Sequence, residues 1–179
     1  PLPHYRQHLF KSLVAIRSPR SFLSLIYAFI KNGPSMRMPY KDLDQYLEAI
    51  NDCQKKYQSQ IKLYKGFEAE GLEEYFDYYQ SLLYEHKVDY LILGHHFHKH
   101  CIHSDYYGKD HMKKKDIYQY CNDVEKALET GLFSYLAHPD LFLIGYQEFD
   151  LDARTVSQRI CEKAKALHIP LEVNAGGMR

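Results

Sequence analysis

One repeated pattern constrains the fold of this chain more than any other feature: short apolar, β-prone runs lead to polar or metal-ligating side chains. There are four such runs: residues 61–66 lead to Glu68, residues 88–93 to His95 and His96, residues 135–137 to His138, and residues 169–173 to Asn174. Segments with apolar residues at helical spacing separate these runs. Strands that alternate with helices predict parallel βα units, and parallel strands all end at one edge of their sheet. We therefore expect the polar side chains to meet at that edge, as they do in the active site of a (β/α) barrel.

Four helices and four strands are predicted from the spacing of the apolar residues. The helices cover 43–57, 72–83, 117–128 and 156–167, with Asp42 and Asp152 as N-caps and Gly131 as a C-terminal cap. The strands cover 61–67, 88–93, 133–137 and 171–174, and the nearly all-apolar second strand is typical of one covered on both faces. The expected fold is α/β, with parallel strands alternating with helices.

The length of 179 residues suits one domain. Residues 1–40 are predicted to be irregular and lid-like around one short helix, because prolines interrupt them, and residues 41–179 are predicted to hold the βα units. The apolar stretch 22–30 is too short to cross a bilayer. A formal net charge of zero argues against nucleic-acid and membrane partners, which favour an excess of Lys and Arg.

The cysteines and the missing motifs exclude several classes of protein. The four cysteines are far apart with no C-x-x-C pair, which argues against a zinc ribbon or a thioredoxin-type motif. No signal peptide is visible, and we expect a reduced, cytoplasmic protein. No P-loop, G-x-G-x-x-G or Ser-His-Asp order indicates a competing chemistry.

The candidate metal ligands are Glu68, one of the adjacent pair His95 and His96, and His138. Glu68 could bridge two cations, and the alternative is a solvated acid paired with a lysine. His95 and His96 are adjacent, so they point to opposite sides of an extended chain and only one can face the site. His138 precedes a proline that ends its strand, and Asp140 could hydrogen-bond nearby; the alternative is a structural histidine at a turn. Imidazole together with carboxylate suits zinc, iron or manganese.

The region 97–115 is long, polar and rich in His and Lys, and it is predicted to be a loop. Its histidines after the predicted ligands are His98, His100, His103 and His111. A second metal site, phosphate contacts and a merely solvated loop are all open interpretations. The lysines would suit an anionic substrate, although charge runs are usually solvated.

Four residues are assigned to substrate binding: Arg179, Asn174, His95 and His98. Asn174 ends the last predicted strand, and a glycine-containing turn separates it from Arg179. The guanidinium of Arg179 could bind a phosphate bidentately.

At this point the sequence resembles the PHP (polymerase and histidinol phosphatase) superfamily, and within it the histidinol-phosphatase branch. The matching segments are Gly66-Phe67-Glu68, residues 89–97 (DYLILGHHF), residues 135–141 (YLAHPDL), and residues 171–174 (LEVN) with Gly177 and Arg179. The resemblance covers the chain from Asp42 to its end. The G-x-E, x-H-F and AHPDL elements are fairly specific together and weak apart.

The resemblance implies a distorted seven-stranded (β/α) TIM-like barrel with a cluster of two or three divalent metal ions. In that picture Glu68 is the bridging carboxylate, His96 and His138 are metal ligands, and Arg179 contacts the phosphate of the substrate. The implied reaction is hydrolysis of a small phosphate monoester, L-histidinol phosphate to L-histidinol, in histidine biosynthesis. The implied alternatives within the family are a sugar phosphate or a phosphotyrosyl protein.

The departures from the family are also informative. The H-x-H motif of the opening strand and the D-x-H motif of the closing strand are absent. We therefore expect a fragment that holds strands three to six of seven, with incomplete metal binding and little activity on its own. Open parallel edges favour a homo-oligomer. A degenerate, non-catalytic module is the alternative from another class of protein.

Overall fold

The structure is a computed structural model of the chain. It describes residue 38 and residues 42–85, 87–99, 106–108, 111–146 and 148–174. The chain divides into two compact units, Pro1–Lys65 and Gly66–Arg179. The lid-like region predicted over residues 1–40 therefore lies outside the described residues, apart from Met38.

The first unit contains helix α1, Leu43–Tyr57. Asp42 is its N-cap, as predicted, but the carboxylate makes no capping hydrogen bond. Residues 61–65 follow without regular secondary structure, so the prediction of a strand from residue 61 is wrong. Strand pairing requires a neighbour, and the ladder begins only where Gly66 is in register with Tyr90.

The second unit is built on a three-stranded parallel sheet in the order β1-β2-β3. The strands are β1, Gly66–Ala69, β2, Tyr90–Leu93, and β3, Tyr135–Leu136. The predicted fourth strand is reduced to one parallel bridge between Leu171 and Leu136. The predicted α/β architecture with parallel strands is thus confirmed, and the closed seven-stranded barrel stays a prediction.

Three helices and two 3-10 turns complete the second unit. They are the 3-10 turn Glu73–Tyr75, α2, Phe76–Tyr84, α3, Lys114–Glu129, the 3-10 turn Leu141–Ile144, and α4, Leu151–Ala166. Gly131 has a φ of 68° just after α3, which confirms it as the left-handed C-terminal cap. Asp150, rather than the predicted Asp152, caps α4 by accepting a hydrogen bond from the Ala153 N–H.

The two faces of the sheet differ in burial, which decides where a site can form. Leu91 and Leu93 of β2 and Leu136 of β3 have no exposed surface, and they lie on one face because side chains alternate along a strand. The opposite face carries Glu68 and Ile92, which are in register and less buried. A side chain on this second face that could bind a metal ion, such as that of Glu68, is therefore accessible to solvent.

The core between α3 and α4 contains buried residues from both helices. They include Ile117, Val124 and Leu128 of α3 and Val156 and Ile160 of α4. Arg159 of α4 adds an ion pair with Glu125 of α3, at 2.6 Å between Nη2 and Oε2. Within the described residues, no helix combines the length and apolar character that a bilayer crossing requires.

Candidate metal centre

The three predicted metal ligands converge on one face of the sheet. Glu68 is the third residue of β1, His96 follows β2 and His138 follows β3. Glu68 Oε1 lies 3.2 Å from His138 Nε2 and 3.6 Å from His96 Nε2. One ligand atom from each of the three residues lies within 4.8 Å of the other two. The structure therefore places Glu68 inside its strand, whereas the sequence placed it beyond the end.

These spacings fit a bound cation. Zinc binds imidazole nitrogens and carboxylate oxygens at about 2.0–2.2 Å, which puts tetrahedral ligand atoms about 3.4 Å apart. The distances of 3.2 and 3.6 Å from Glu68 Oε1 bracket that value. Glu68, His96 and His138 thus form a group that could hold a metal ion.

Glu70 fixes the orientation of His96. Its side chain is buried, with 8% of the residue exposed. One carboxylate oxygen accepts from the His96 backbone N–H at 2.7 Å, and the other lies 3.0 Å from His96 Nδ1. An ionised carboxylate can only accept, so the proton is assigned to Nδ1 and the lone pair of Nε2 faces Glu68. This is the tautomer that a metal ligand requires.

Glu172 fixes the position of His138 through its backbone. Glu172 Oε2 accepts from the His138 N–H at 2.7 Å and from Asn174 Nδ2 at 3.2 Å. No hydrogen bond joins Asp140 to His138 among the described residues, so the predicted partner of His138 is corrected from Asp140 to Glu172. His138 has a φ of 33°, a conformation that L residues seldom adopt and that the surrounding contacts must hold.

The electrostatics favour a charged Glu68. The hydrogen bond from His138 lowers the pKa of Glu68, burial acts in the opposite direction, and His96 lowers the pKa further. Glu68 is therefore ionised at neutral pH and presents the anionic oxygen that a cation needs. Among the residues that the structure describes, the buried Nδ1 atom of His138 has no hydrogen-bond partner.

His95 points away from this cluster, as its adjacency to His96 predicts. Its side chain has no exposed surface, and its ring packs against Tyr107 and Tyr120 at centroid distances of 5.3 and 6.0 Å. A ligand that enters from solvent cannot reach it. The assignment of His95 to substrate binding is therefore corrected to a packing role.

Asp123 of α3 is the centre of a second polar cluster. Its Oδ2 atom accepts hydrogen bonds from His98 Nδ1 at 2.8 Å and from Tyr107 Oη. The same oxygen lies 3.4 Å from His95 Nε2. Gln119 donates to Oδ1 at 2.8 Å. Burial raises the pKa of Asp123, but the hydrogen bonds from His95, Tyr107 and His98 together lower it to about 2. These hydrogen bonds satisfy a half-buried carboxylate and link the residues after β2 to α3.

Some of the remaining predicted residues lie in the described part of the chain, and others lie outside it. His98 is half-buried and bonded to Asp123, and Asn174 is part-buried and bonded to Glu172. His111 is exposed just before α3. Arg179 lies outside the described residues, as do His100 and His103.

Glu70, Glu172 and Asp123 were missed by the sequence reasoning. Glu70 had a detectable signal, because residues two apart on a strand share a face and Glu70 is two residues after Glu68. Asp123 also had one, since it lies three residues after buried Tyr120 and four before buried Ala127 on α3. Glu172 had the same kind of signal as Glu70, because it is two residues before Asn174 in the predicted last strand.

Comparison with protein-family models and with curated proteins gave no match to this chain. The likeness to the PHP superfamily rests on the sequence motifs alone. What the structure adds is the convergence of Glu68, His96 and His138 in space.

Proposed function

We propose that this chain belongs to a PHP-type, metal-dependent phosphoesterase that hydrolyses a small phosphate monoester, with L-histidinol phosphate as the substrate. The observation that supports the proposal is the cluster of Glu68, His96 and His138, whose ligand atoms lie within 4.8 Å of one another. These residues come from three successive parallel strands. They are also the residues that carry the family's motifs.

The chemistry of the donor set limits which cation suits the site. Two imidazole nitrogens and one carboxylate oxygen favour zinc, iron or manganese over magnesium or calcium. A cation held there would supply Lewis-acid chemistry, neutralising the charge on the phosphate oxygens. Two or three such ions make up the proposed complete site.

The protein residues have separate tasks in this proposal. Glu68 supplies the negative charge, and its lowered pKa keeps it ionised. Glu70 holds a proton on His96 Nδ1, so that Nε2 presents its lone pair towards Glu68, as a metal ligand requires. Glu172 holds the backbone of His138 at the rim of the sheet.

The substrate contacts proposed from the sequence are Asn174, His98 and Arg179. The Asn174 amide belongs to the hydrogen-bonded chain that runs through Glu172 to His138, which brings it close to the rim. His98 is two residues beyond His96 and is partly exposed. Arg179 would supply the fixed cation for the phosphate.

The direct experiment is metal analysis of the full-length parent protein, combined with a phosphatase assay on L-histidinol phosphate. Glu68→Gln and His138→Ala should lower turnover by orders of magnitude while the circular dichroism spectrum and the unfolding transition stay close to those of the parent. Activity that survives both substitutions would contradict the proposal. His168→Ala is a suitable control, because His168 is exposed at the end of α4.

Two other outcomes define the alternatives. Turnover of a sugar phosphate or of a phosphotyrosyl protein in place of L-histidinol phosphate would keep the chemistry and change the substrate. Metal binding with no turnover on any phosphate ester would identify a non-catalytic module. The cytoplasmic location and a homo-oligomeric state remain predictions from the sequence.

A further inference from the structure

We propose that Gly94 is a positioning residue for the metal cluster: the absence of a side chain at this position creates the space that the Glu68 carboxylate occupies. The inference rests on the proposed metal-binding function and adds a residue that makes no ligand contact itself. Gly94 follows β2 directly and precedes the His95-His96 pair.

The steric observation is specific to one side chain. A Cβ atom on Gly94 would lie 2.1 Å from Glu68 Oε1, 2.5 Å from Glu68 Cγ and 2.6 Å from Glu68 Cδ. All three of these nearest atoms belong to Glu68. Oε1 is also the oxygen that faces His138 Nε2 and His96 Nε2. Glu68 Oε1, the oxygen that faces both histidines, therefore occupies the space that a side chain at position 94 would need.

The register of the sheet explains this proximity. Glu68 is in register with Ile92, and Ala69 is in register with Leu93. Because side chains alternate along a strand, Gly94 belongs to the face of Ile92 and Glu68. The Gly94 N–H donates to the Ala69 carbonyl at 3.0 Å, which holds the backbone of residue 94 against β1. A side chain at this position has no room except by displacing Glu68.

The Glu68 carboxylate would have to move too far to remain a metal ligand. To restore an ordinary contact, Oε1 would have to move from 2.1 Å to at least 3.4 Å from the new Cβ atom. A metal site tolerates deviations of only about 0.2 Å in its ligand distances, so this displacement, which is several times larger, removes the carboxylate from the site. The backbone itself tolerates alanine, because Gly131 is the only described glycine with a positive φ.

Gly94→Ala should affect the metal site more than the fold, because movement of one side chain can relieve the steric clash. Glu68 is a flexible side chain on the less buried face of the sheet, so it can swing away without disturbing the core. Gly94→Ala should therefore keep the fold and weaken metal binding. A purely structural glycine would show the opposite result, with lost stability and intact affinity.

The test compares Co²⁺ binding by the full chain, followed by its visible absorption, in the parent and in Gly94→Ala. We expect the dissociation constant to rise by at least about tenfold, the lower end of what supporting residues contribute to metal sites. The metal-free variant should still fold, and its unfolding midpoint should fall only by the small cost of displacing the Glu68 side chain. Gly66→Ala is the matched control, because its Cβ would meet the Tyr90 ring at 2.5–2.7 Å and not the carboxylate. Unchanged Co²⁺ affinity in Gly94→Ala, or an equal loss in Gly66→Ala, would overturn the inference.

A second measurement separates this inference from the proposed function. In the metal-free chain, Gly94→Ala should cost more unfolding free energy in the parent than in a Glu68→Ala background, where the obstructing carboxylate is gone. Equal costs in the two backgrounds, or failure to fold in both, would overturn the role of Gly94. A parent chain that binds no Co²⁺ contradicts the proposed function, and the double-mutant cycle then decides the inference alone.

Discussion

Glu70 accepts hydrogen bonds from two groups of His96, the backbone N–H at 2.7 Å and the ring Nδ1 at 3.0 Å. The two contacts restrain both the main chain and the ring of a candidate ligand. They also leave Nε2 as the nitrogen that faces Glu68 Oε1, 3.6 Å away. The orientation of His96 is therefore set before any cation binds.

Replacing Glu70 with Gln should weaken metal binding. The amide can rotate to present its NH₂ group to Nδ1, which removes the preference for the tautomer with the proton on Nδ1. We expect metal affinity to fall by about 10- to 100-fold, as for other residues that orient ligating histidines. Isothermal titration calorimetry measures the loss, and ¹⁵N chemical shifts of the His96 ring report the tautomer. A ring that keeps its proton on Nδ1 in Glu70→Gln would contradict this role.

The Asp123 cluster should make stability depend on acid pH. Its hydrogen bonds lower the pKa of Asp123 from the ordinary 3.8 to about 2, so the folded state binds fewer protons than the unfolded state. The stabilisation is fully present above pH 3.8 and is lost as the pH falls towards 2. A shift of this size corresponds to about 2 kcal/mol.

Urea unfolding of Asp123→Asn checks that contribution. The variant should be less stable than the parent by about 2 kcal/mol at pH 7, and the difference should shrink as the pH is lowered below 3.8. Asp77→Asn is the control, because Asp77 is exposed on α2. A difference that does not change with pH would show that the carboxylate charge of Asp123 contributes nothing.

Glu172 should be important for the turn that carries His138. Its carboxylate accepts from the His138 N–H and from the Asn174 amide, and a neutral amide would accept more weakly. Glu172→Gln should lower the unfolding free energy by about 1–3 kcal/mol. Chemical denaturation measures the change, and Glu148→Gln, an exposed acid, provides the comparison. Equal stabilities of the two variants would contradict the assignment.

Metal binding should release protons. Protonated imidazole cannot bind a cation, so affinity should fall as the pH is lowered from neutrality. Glu68 contributes little to this fall, because its pKa is lowered by the hydrogen bond from His138 and the carboxylate is already ionised. Calorimetry in buffers of different ionisation enthalpy counts the protons released. His138→Ala should reduce the affinity, and an affinity independent of pH would exclude imidazole ligands.

Much of the fold could be predicted because hydrophobic periodicity is a local signal. The apolar runs of β2 and β3 and the stripes of α3 and α4 all correspond to observed elements. The start of β1 could not be predicted in this way. Its apolar run begins at Ile61, but pairing starts only at Gly66, where the chain meets β2.

The candidate site likewise contains some residues that local sequence motifs identify and others that they do not. Glu68, His96 and His138 could be selected because they belong to recognisable motifs at strand ends. Glu70, Asp123 and Glu172 bond to residues that are 26, 28 and 34 positions away in the sequence, respectively. Local periodicity could mark the faces on which Glu70 and Asp123 lie, but the residues that they bond to depend on how the strands and helices pack.

Calorimetric titration of the metal-free full chain with Zn²⁺ tests the central claim most directly. We predict saturable binding that is abolished in Glu68→Ala and in His138→Ala and retained in His168→Ala. A parent chain that binds no Zn²⁺, or binding that survives both ligand substitutions, would contradict the account.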